Sequence, residues 1–286
     1  MRAEKFYLGI DTGGTHTDAV VFDPELNSVV ITAKAETTHH DLAIGISEVL
    51  EKLARLDCPG GLSAIGRIHL STTLATNAIA ENKGRRVGLI LMGYDQEQAE
   101  VGRLVAELPQ VSPVFVDGSH DYYGVENEPL DKAALLSAVE ELEPEVTGWA
   151  VSGFFSVKNP AHEMEAAGLI RSLSSKPVTM GRDLTGRLDA MRRAATAALN
   201  AGLVGIIGSL LDAVNTSALK VGLKARLMVV KGDGSLVSEE WARTKPIETL
   251  VSGPAAGLVG AGLLSPGLWN TDERNFLDLD GGGTTS

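Results

Sequence analysis

The chain is poor in several things, and each shortage removes a class of protein. Among its 286 residues there is one cysteine, Cys58. A lone thiol cannot close an internal disulfide or build a Cys-based zinc site. Basic residues are outnumbered, 25 Lys and Arg against 37 Asp and Glu, for a net charge of −12. The densest basic clusters, Lys83-Arg85-Arg86 and Arg192-Arg193, are too small to groove a phosphate backbone, so no nucleic acid partner is expected. No apolar run reaches the roughly 20 residues of a membrane span. The most apolar stretch, Ala194 to Leu211, contains Thr196 and Asn200 and has charges at both flanks, so it reads as a buried helix. Met1-Arg2-Ala3-Glu4-Lys5 is charged and leads directly into a strand-like run, so no targeting leader is expected. The six histidines show no His-x3-His spacing, which argues against a histidine metal cluster. There is no Gly-x4-Gly-Lys-Ser/Thr P-loop, and no Gly-x-Gly-x-x-Gly follows a strand. Together these shortages predict a cytoplasmic globular protein with no membrane partner.

Glycine is what the chain has in excess, with 32 residues. Glycine is costly inside helices and strands, so an excess marks places where backbone turns sharply or approaches something closely. Tyr7–Ile10 and Ala19–Phe22 are short β-type runs with Gly13-Gly14 between them, a hairpin pattern to which Ser28–Thr32 adds a third strand. Leu42, Ile46, Val49, Leu50 and Leu53 then mark one face of a helix that Asp41 could cap and that stops near Cys58-Pro59-Gly60-Gly61. Strand and helix alternate from there. Arg67–Leu70 leads into a helix over 72–82, and Val87–Leu91 into one after Asp95. Val114–Val116 precedes Asp131–Leu142, and Trp149–Val151 precedes Pro160–Leu173, with Asn159 as the cap. A long Ala/Gly-rich helix runs from about Arg187 to Ala218, and Leu227–Val230 and Phe276–Leu279 are further strands. This alternation predicts an α/β fold with helices covering a mixed sheet.

The chemistry lies in an internal echo. Asp11-Thr12-Gly13-Gly14-Thr15 near the start returns as Asp280-Gly281-Gly282-Gly283-Thr284 at the end, each after a short apolar strand. Glycines without Cβ let backbone N–H groups converge on an anion, and threonine hydroxyls add donors. An aspartate cannot neutralise phosphate, so its work there is to hold Mg²⁺ or to orient an attacking water.

Paired Asp-Gly-Gly-Thr hairpins resemble the phosphate motifs of the actin/Hsp70/sugar-kinase superfamily. Three more segments narrow the resemblance: Ser71-Thr72-Thr73-Leu74-Ala75-Thr76-Asn77-Ala78, Leu227–Gly234 and Leu250-Val251-Ser252-Gly253-Pro254-Ala255-Ala256-Gly257. They are similar, in order and over the whole chain, to the hydantoinase/5-oxoprolinase A family. That resemblance implies an actin-like, ribonuclease H-like ATPase lobe followed by the start of a second lobe. It divides the chain into an N-terminal domain over 1–176, with the first hairpin, and the opening of a second domain over 177–286. It implies ATP-dependent opening of a cyclic amide such as 5-oxoproline or a hydantoin, with ATP phosphorylating the amide oxygen before water attacks. Carried over by position, Asp11 and Asp280 are the catalytic residues and manage Mg²⁺ and water. Thr12, Gly13, Gly14, Thr15, Gly282, Gly283, Thr284 and Thr285 cradle the phosphates, and Thr72, Thr73 and Asn77 sit at a strand-to-helix turn facing an anionic group.

Other readings of the residues stay open. The Thr72-Thr73 turn also fits ordinary helix capping. Ser252-Gly253-Pro254 is either a ligand-facing loop or the tight entry to a helix over 257–264. Many relatives place His-Gly before the Thr-Thr pair, where this chain has Leu70-Ser71 with His69 one place earlier; one place along a strand reverses the face. Ser286 falls inside the second hairpin, so a piece of a longer protein is expected, inactive by itself. A B-type subunit or a second copy is a possible partner. An actin-fold activator or chaperone and a sugar-type kinase are the alternative functions.

Overall fold

A computed structural model describes residues 5–38, 42–81, 85–97, 102–103 and 106–264. The second glycine turn, with Asp280, Gly282, Gly283, Thr284 and Thr285, lies outside the described residues, as do Asp41 and the strand expected at Phe276–Leu279. The chain divides into two compact units, one built from the described residues up to Asn77 and from Ile206 onward, the other from Ala78–Gly205. The units therefore interleave along the chain. A boundary read along the sequence at 176/177 is of another kind and falls inside the second unit.

The first unit is organised by a six-stranded mixed sheet. Strands β1 (Phe6–Thr12), β2 (His16–Asp23) and β3 (Ser28–Glu36) form an antiparallel meander. Strand β4 (Ile65–Thr72) runs parallel to β1 on its other side, and β11 (Arg226–Val230) runs parallel to β4. The order is β12-β11-β4-β1-β2-β3, with β12 (Leu236–Ser238) at one edge. Residues alternate between the two faces of a strand. Along β1, Phe6, Leu8, Ile10 and Thr12 are buried, while Tyr7, Gly9 and Asp11 are half-buried on the opposite face. The helix expected after residue 41 is α1 (Leu42–Arg55), which packs on β2 and β3. Its Ile46, Val49, Leu50 and Leu53 are fully buried, and each such side chain contributes about 1.5–3 kcal/mol.

The second unit holds a four-stranded sheet, all parallel, in the order β10 (Val178–Met180), β9 (Gly148–Gly153), β5 (Val87–Met92), β6 (Val111–Val116). Its central strands, β5 (Val87–Met92) and β9 (Gly148–Gly153), are buried at every residue, because helices cover both faces of a parallel sheet. Gly88 stands opposite the fully buried Trp149, and a Cβ there would run into the indole ring. The helix Lys132–Leu142 starts at Asp131, whose carboxylate accepts from Ala134 N at 3.0 Å. Asn159 Oδ1 caps Ala161 N, at 3.0 Å, at the head of Ala161–Leu173. Behind the end of β9, a buried charged couple grips one glycine. Glu163 accepts from Gly153 N at 2.9 Å, and Arg193 donates to Gly153 O at 2.8 Å and Phe154 O at 2.6 Å.

The apolar stretch around Ala194–Leu211 lies within the helix Ala190–Lys220. Ala194, Ala197, Ala198 and Ala201 belong to the core of the second unit, and Leu210, Leu211 and Val214 are buried further along. Length and composition alone would let this helix cross a membrane; its burial is that of a core helix.

Candidate phosphate-binding site

β1 delivers Asp11 and Thr12 to the hairpin tip. Gly13, Gly14 and Thr15 make the turn, which closes through Gly13 N donating to His16 O at 2.9 Å. A Cβ on Gly13 would stand 3.1 Å from that same oxygen, so glycine keeps the turn tight. Thr15 O accepts from Thr37 N at 2.8 Å, which ties the turn to the end of β3.

Parallel pairing sets Asp11 directly beside Ser71 of β4, and Ser71 Oγ donates to Asp11 Oδ1 at 2.6 Å. One residue on, the main chain of Thr12 is latched by the next turn. Thr12 O accepts from Thr72 Oγ1 at 3.1 Å and from Thr73 N at 3.2 Å. Thr72 Oγ1 also accepts from Leu74 N at 3.0 Å, opening the short helix Leu74–Ala80. The capping role expected as one alternative for Thr72 is therefore present. Asn77 reaches back to Thr73 Oγ1 at 3.4 Å, and its own Oδ1 is buried with no hydrogen-bond partner among the described residues. The same holds of Thr12 Oγ1.

The Ser252-Gly253-Pro254 segment is neither a free loop nor an entry to a later helix. It forms the first turn of the helix Ser252–Leu264. Proline is tolerated in a first turn because the N–H groups there have no intrahelical partner. The preceding residue, Val251, adopts φ 54°, a strained left-handed conformation for a β-branched residue, and donates to Thr76 Oγ1 at 3.1 Å. Ser252 is fully buried; its Oγ accepts from Thr72 N at 3.2 Å and donates to Thr72 O at 3.0 Å. Gly253 follows. A Cβ at Gly253 would lie 3.3 Å from Thr73 Cγ2 and 3.8 Å from Asp11 Oδ1.

The structure thus gathers Asp11, Thr12, Gly13, Gly14, Thr15, Thr72, Thr73 and Asn77 at one end of the sheet. It adds two residues outside the expected site, Ser71 and Gly253, and gives Ser252 a definite place. Period-2 alternation along β4 already puts Ser71 on a face opposite Thr72, but only the β1–β4 register makes that the Asp11 face.

Asp11 and Ser71 line a cleft of about 330 Å³ between the sheet and the helix Ser252–Leu264. His69 lines it too, on the face of Gly9 and Asp11, whereas Leu70 is fully buried on the other face. Burial pushes the His69 imidazole below its ordinary value, and Arg67 pushes it further the same way. Asp18, across from Asp11, pairs with Lys34 at 3.1 Å.

Carboxylate and hydroxyl oxygens are hard donors, which suit Mg²⁺ rather than a transition metal. Among the described residues no group of three or more His, Cys, Asp or Glu is arranged to hold a metal by itself. One aspartate at a glycine turn instead matches the way Mg²⁺ is held, through one or two carboxylates plus substrate phosphates. The cleft of about 330 Å³ that Asp11 and Ser71 line has room for such a group.

Known proteins carry the same arrangement of chain. The profile of the hydantoinase/oxoprolinase N-terminal region matches residues 7–174, and that of hydantoinase/oxoprolinase matches residues 193–286. Caprolactamase subunit alpha of Pseudomonas jessenii is 28% identical over 307 residues, covering 100% of this chain and 43% of its own length. The acetophenone carboxylase gamma subunit of Aromatoleum aromaticum is 27% identical, covering 97% of this chain and 41% of its own. The crystal structure of the ATP-dependent caprolactamase from Pseudomonas jessenii superposes with a TM-score of 0.73 at 27% identity, over 93% of this chain and 41% of that one. The fold is α/β, with a mixed six-stranded sheet and an all-parallel four-stranded one, of the actin-like ATPase type. The chain spans less than half the length of these relatives.

Proposed function

Because this chain belongs to the hydantoinase/oxoprolinase family, we propose that it is the N-terminal nucleotide-handling part of an ATP-dependent enzyme that opens cyclic amides. The observation that carries this reading is the placement of Asp11. It sits at the mouth of a glycine turn whose main chain is latched by Thr72 and Thr73. Bound Mg·ATP would supply the phosphoryl group that turns an amide oxygen into a leaving group. Asp11 would hold the metal or its water. The N–H groups and hydroxyl of Gly13, Gly14 and Thr15 would meet the phosphates, and Thr72 holds the turn in shape by binding Thr12 O. Asp280 and the second glycine turn complete the cradle in this proposal. A partner subunit is part of it as well, since the caprolactamase and acetophenone carboxylase relatives are themselves subunits. We place the enzyme in the cytoplasm, where ATP is supplied.

A second reading is ATP-dependent carboxylation of a ketone, favoured by the acetophenone carboxylase relative at nearly the same identity. Both reactions activate a carbonyl oxygen, and they differ in what attacks it. The enzyme containing this chain, given ATP and caprolactam, 5-oxoproline or hydantoin, should release phosphate in step with ring opening. Phosphate release that depends on a ketone and bicarbonate, with every cyclic amide left intact, would replace the first reading by the second. Asp11→Ala should weaken Mg·ATP binding by about 3 kcal/mol, the scale of a lost charge-assisted contact, or roughly a hundredfold in affinity. Equal affinity by calorimetry would remove Asp11 from the site.

A further inference from the structure

We propose that Ser71 is the positioning residue for Asp11: its buried hydroxyl holds the carboxylate in the one orientation that faces the glycine turn. The proposal rests on the reading of Asp11 as the metal-facing group.

The geometry carries it. Ser71 is 6% exposed and donates to Asp11 Oδ1 at 2.6 Å, the length of a charge-assisted O–H···O⁻ bond. The terminal torsion of an aspartate is broad, so a half-buried carboxylate at a strand end has no intrinsic reason to hold one setting. A donor fixed by the sheet supplies that reason. Ser71 is fixed because the β1–β4 register pairs Tyr7 with Arg67, Gly9 with His69 and Asp11 with Ser71, all on one face. Its neighbours are committed elsewhere, Leu70 to the core and the Thr72 hydroxyl to Thr12 O. Gly253 also comes close to Oδ1, where a Cβ would lie 3.8 Å away.

The test is calorimetric titration of the chain with a non-hydrolysable ATP analogue, once with Mg²⁺ and once with EDTA. Wild type, Ser71→Ala, Ser71→Gly, Ser71→Thr and Asp11→Asn are compared, and each is melted in parallel. Losing one hydrogen bond to a charged acceptor should weaken binding about tenfold in S71A and S71G, with Mg²⁺ present. The metal-free affinity should stay unchanged, and S71T, which restores the hydroxyl, should recover to within about twofold. Equal weakening with and without Mg²⁺ would mean that Ser71 only packs the sheet, and would overturn the proposal. S71A and S71G binding like wild type while D11N loses the Mg²⁺-dependent affinity would also overturn it, leaving the Asp11 reading intact. If D11N too binds Mg·nucleotide like wild type, the Asp11 reading fails and takes the proposal with it.

Discussion

Ser252 joins two segments 180 residues apart through a single oxygen, and removing that oxygen is the sharpest test of how the site is held. In Ser252→Ala, Thr72 loses the acceptor of its N–H and one donor to its C=O. Thr72 is 1% exposed and Ser252 is fully buried, so water cannot replace either partner without the helix moving. A buried main-chain group left unpaired costs about 1–3 kcal/mol, so two of them cost about 2–4 kcal/mol once the second lone pair of the carbonyl is counted as still usable. Against the usual 5–15 kcal/mol of a folded domain, this loss is large. Urea unfolding followed by circular dichroism would read it as a lower midpoint at unchanged slope. The same substitution should loosen the Thr72-Thr73 turn from Thr12 O and so weaken Mg·ATP binding. A variant within about 0.5 kcal/mol of wild type would show that Thr72 finds other partners, and the account of Ser252 as a latch would be wrong.

Two further outcomes follow from the same contacts. Arg193→Met should cost about 3–5 kcal/mol in urea unfolding, because it takes the donor from the carbonyls of Gly153, Phe154 and Arg187 and removes the positive charge that favours the buried Glu163 carboxylate; the double variant with Glu163→Gln should cost less than the sum of the two singles. His69 and His120 are both held below the ordinary histidine value of 6.5, His69 by burial and then Arg67, His120 by burial and then His162. The unfolded chain therefore binds more protons below that pH, stability is complete above about 6.5 and falls on acidification, and His69→Gln should flatten the midpoint-versus-pH curve just below about pH 6.5.

Some of this molecule is legible without coordinates. The first hairpin shows because period-2 apolar spacing brackets Gly13-Gly14, and the structure extends both arms to Phe6–Thr12 and His16–Asp23. The helix after Asn159-Pro160 shows for the same kind of local reason, since the cap and a proline in the entry act within three residues. The start at Ser252 does not show. Ser-Gly-Pro reads as a turn, and the kink that permits a helix there is taken by Val251, one residue earlier, in a conformation its side chain does not favour. His69 is a middle case. Its face follows from alternation, but what lies on that face does not.

By itself the sequence determined that a glycine turn headed by Asp11 would follow the first strand, and that Thr72 and Thr73 would open a helix. Those features depend on φ/ψ preferences and caps, which act over a few residues. Tertiary structure decided that Ser71 lies against Asp11, that Ser252 grips Thr72, and that the compact units interleave along the chain. Such contacts cross 60 to 180 residues. They are set by which register buries the apolar face of each strand and still pairs every buried main-chain group. That balance belongs to the whole sheet and is written in no single segment.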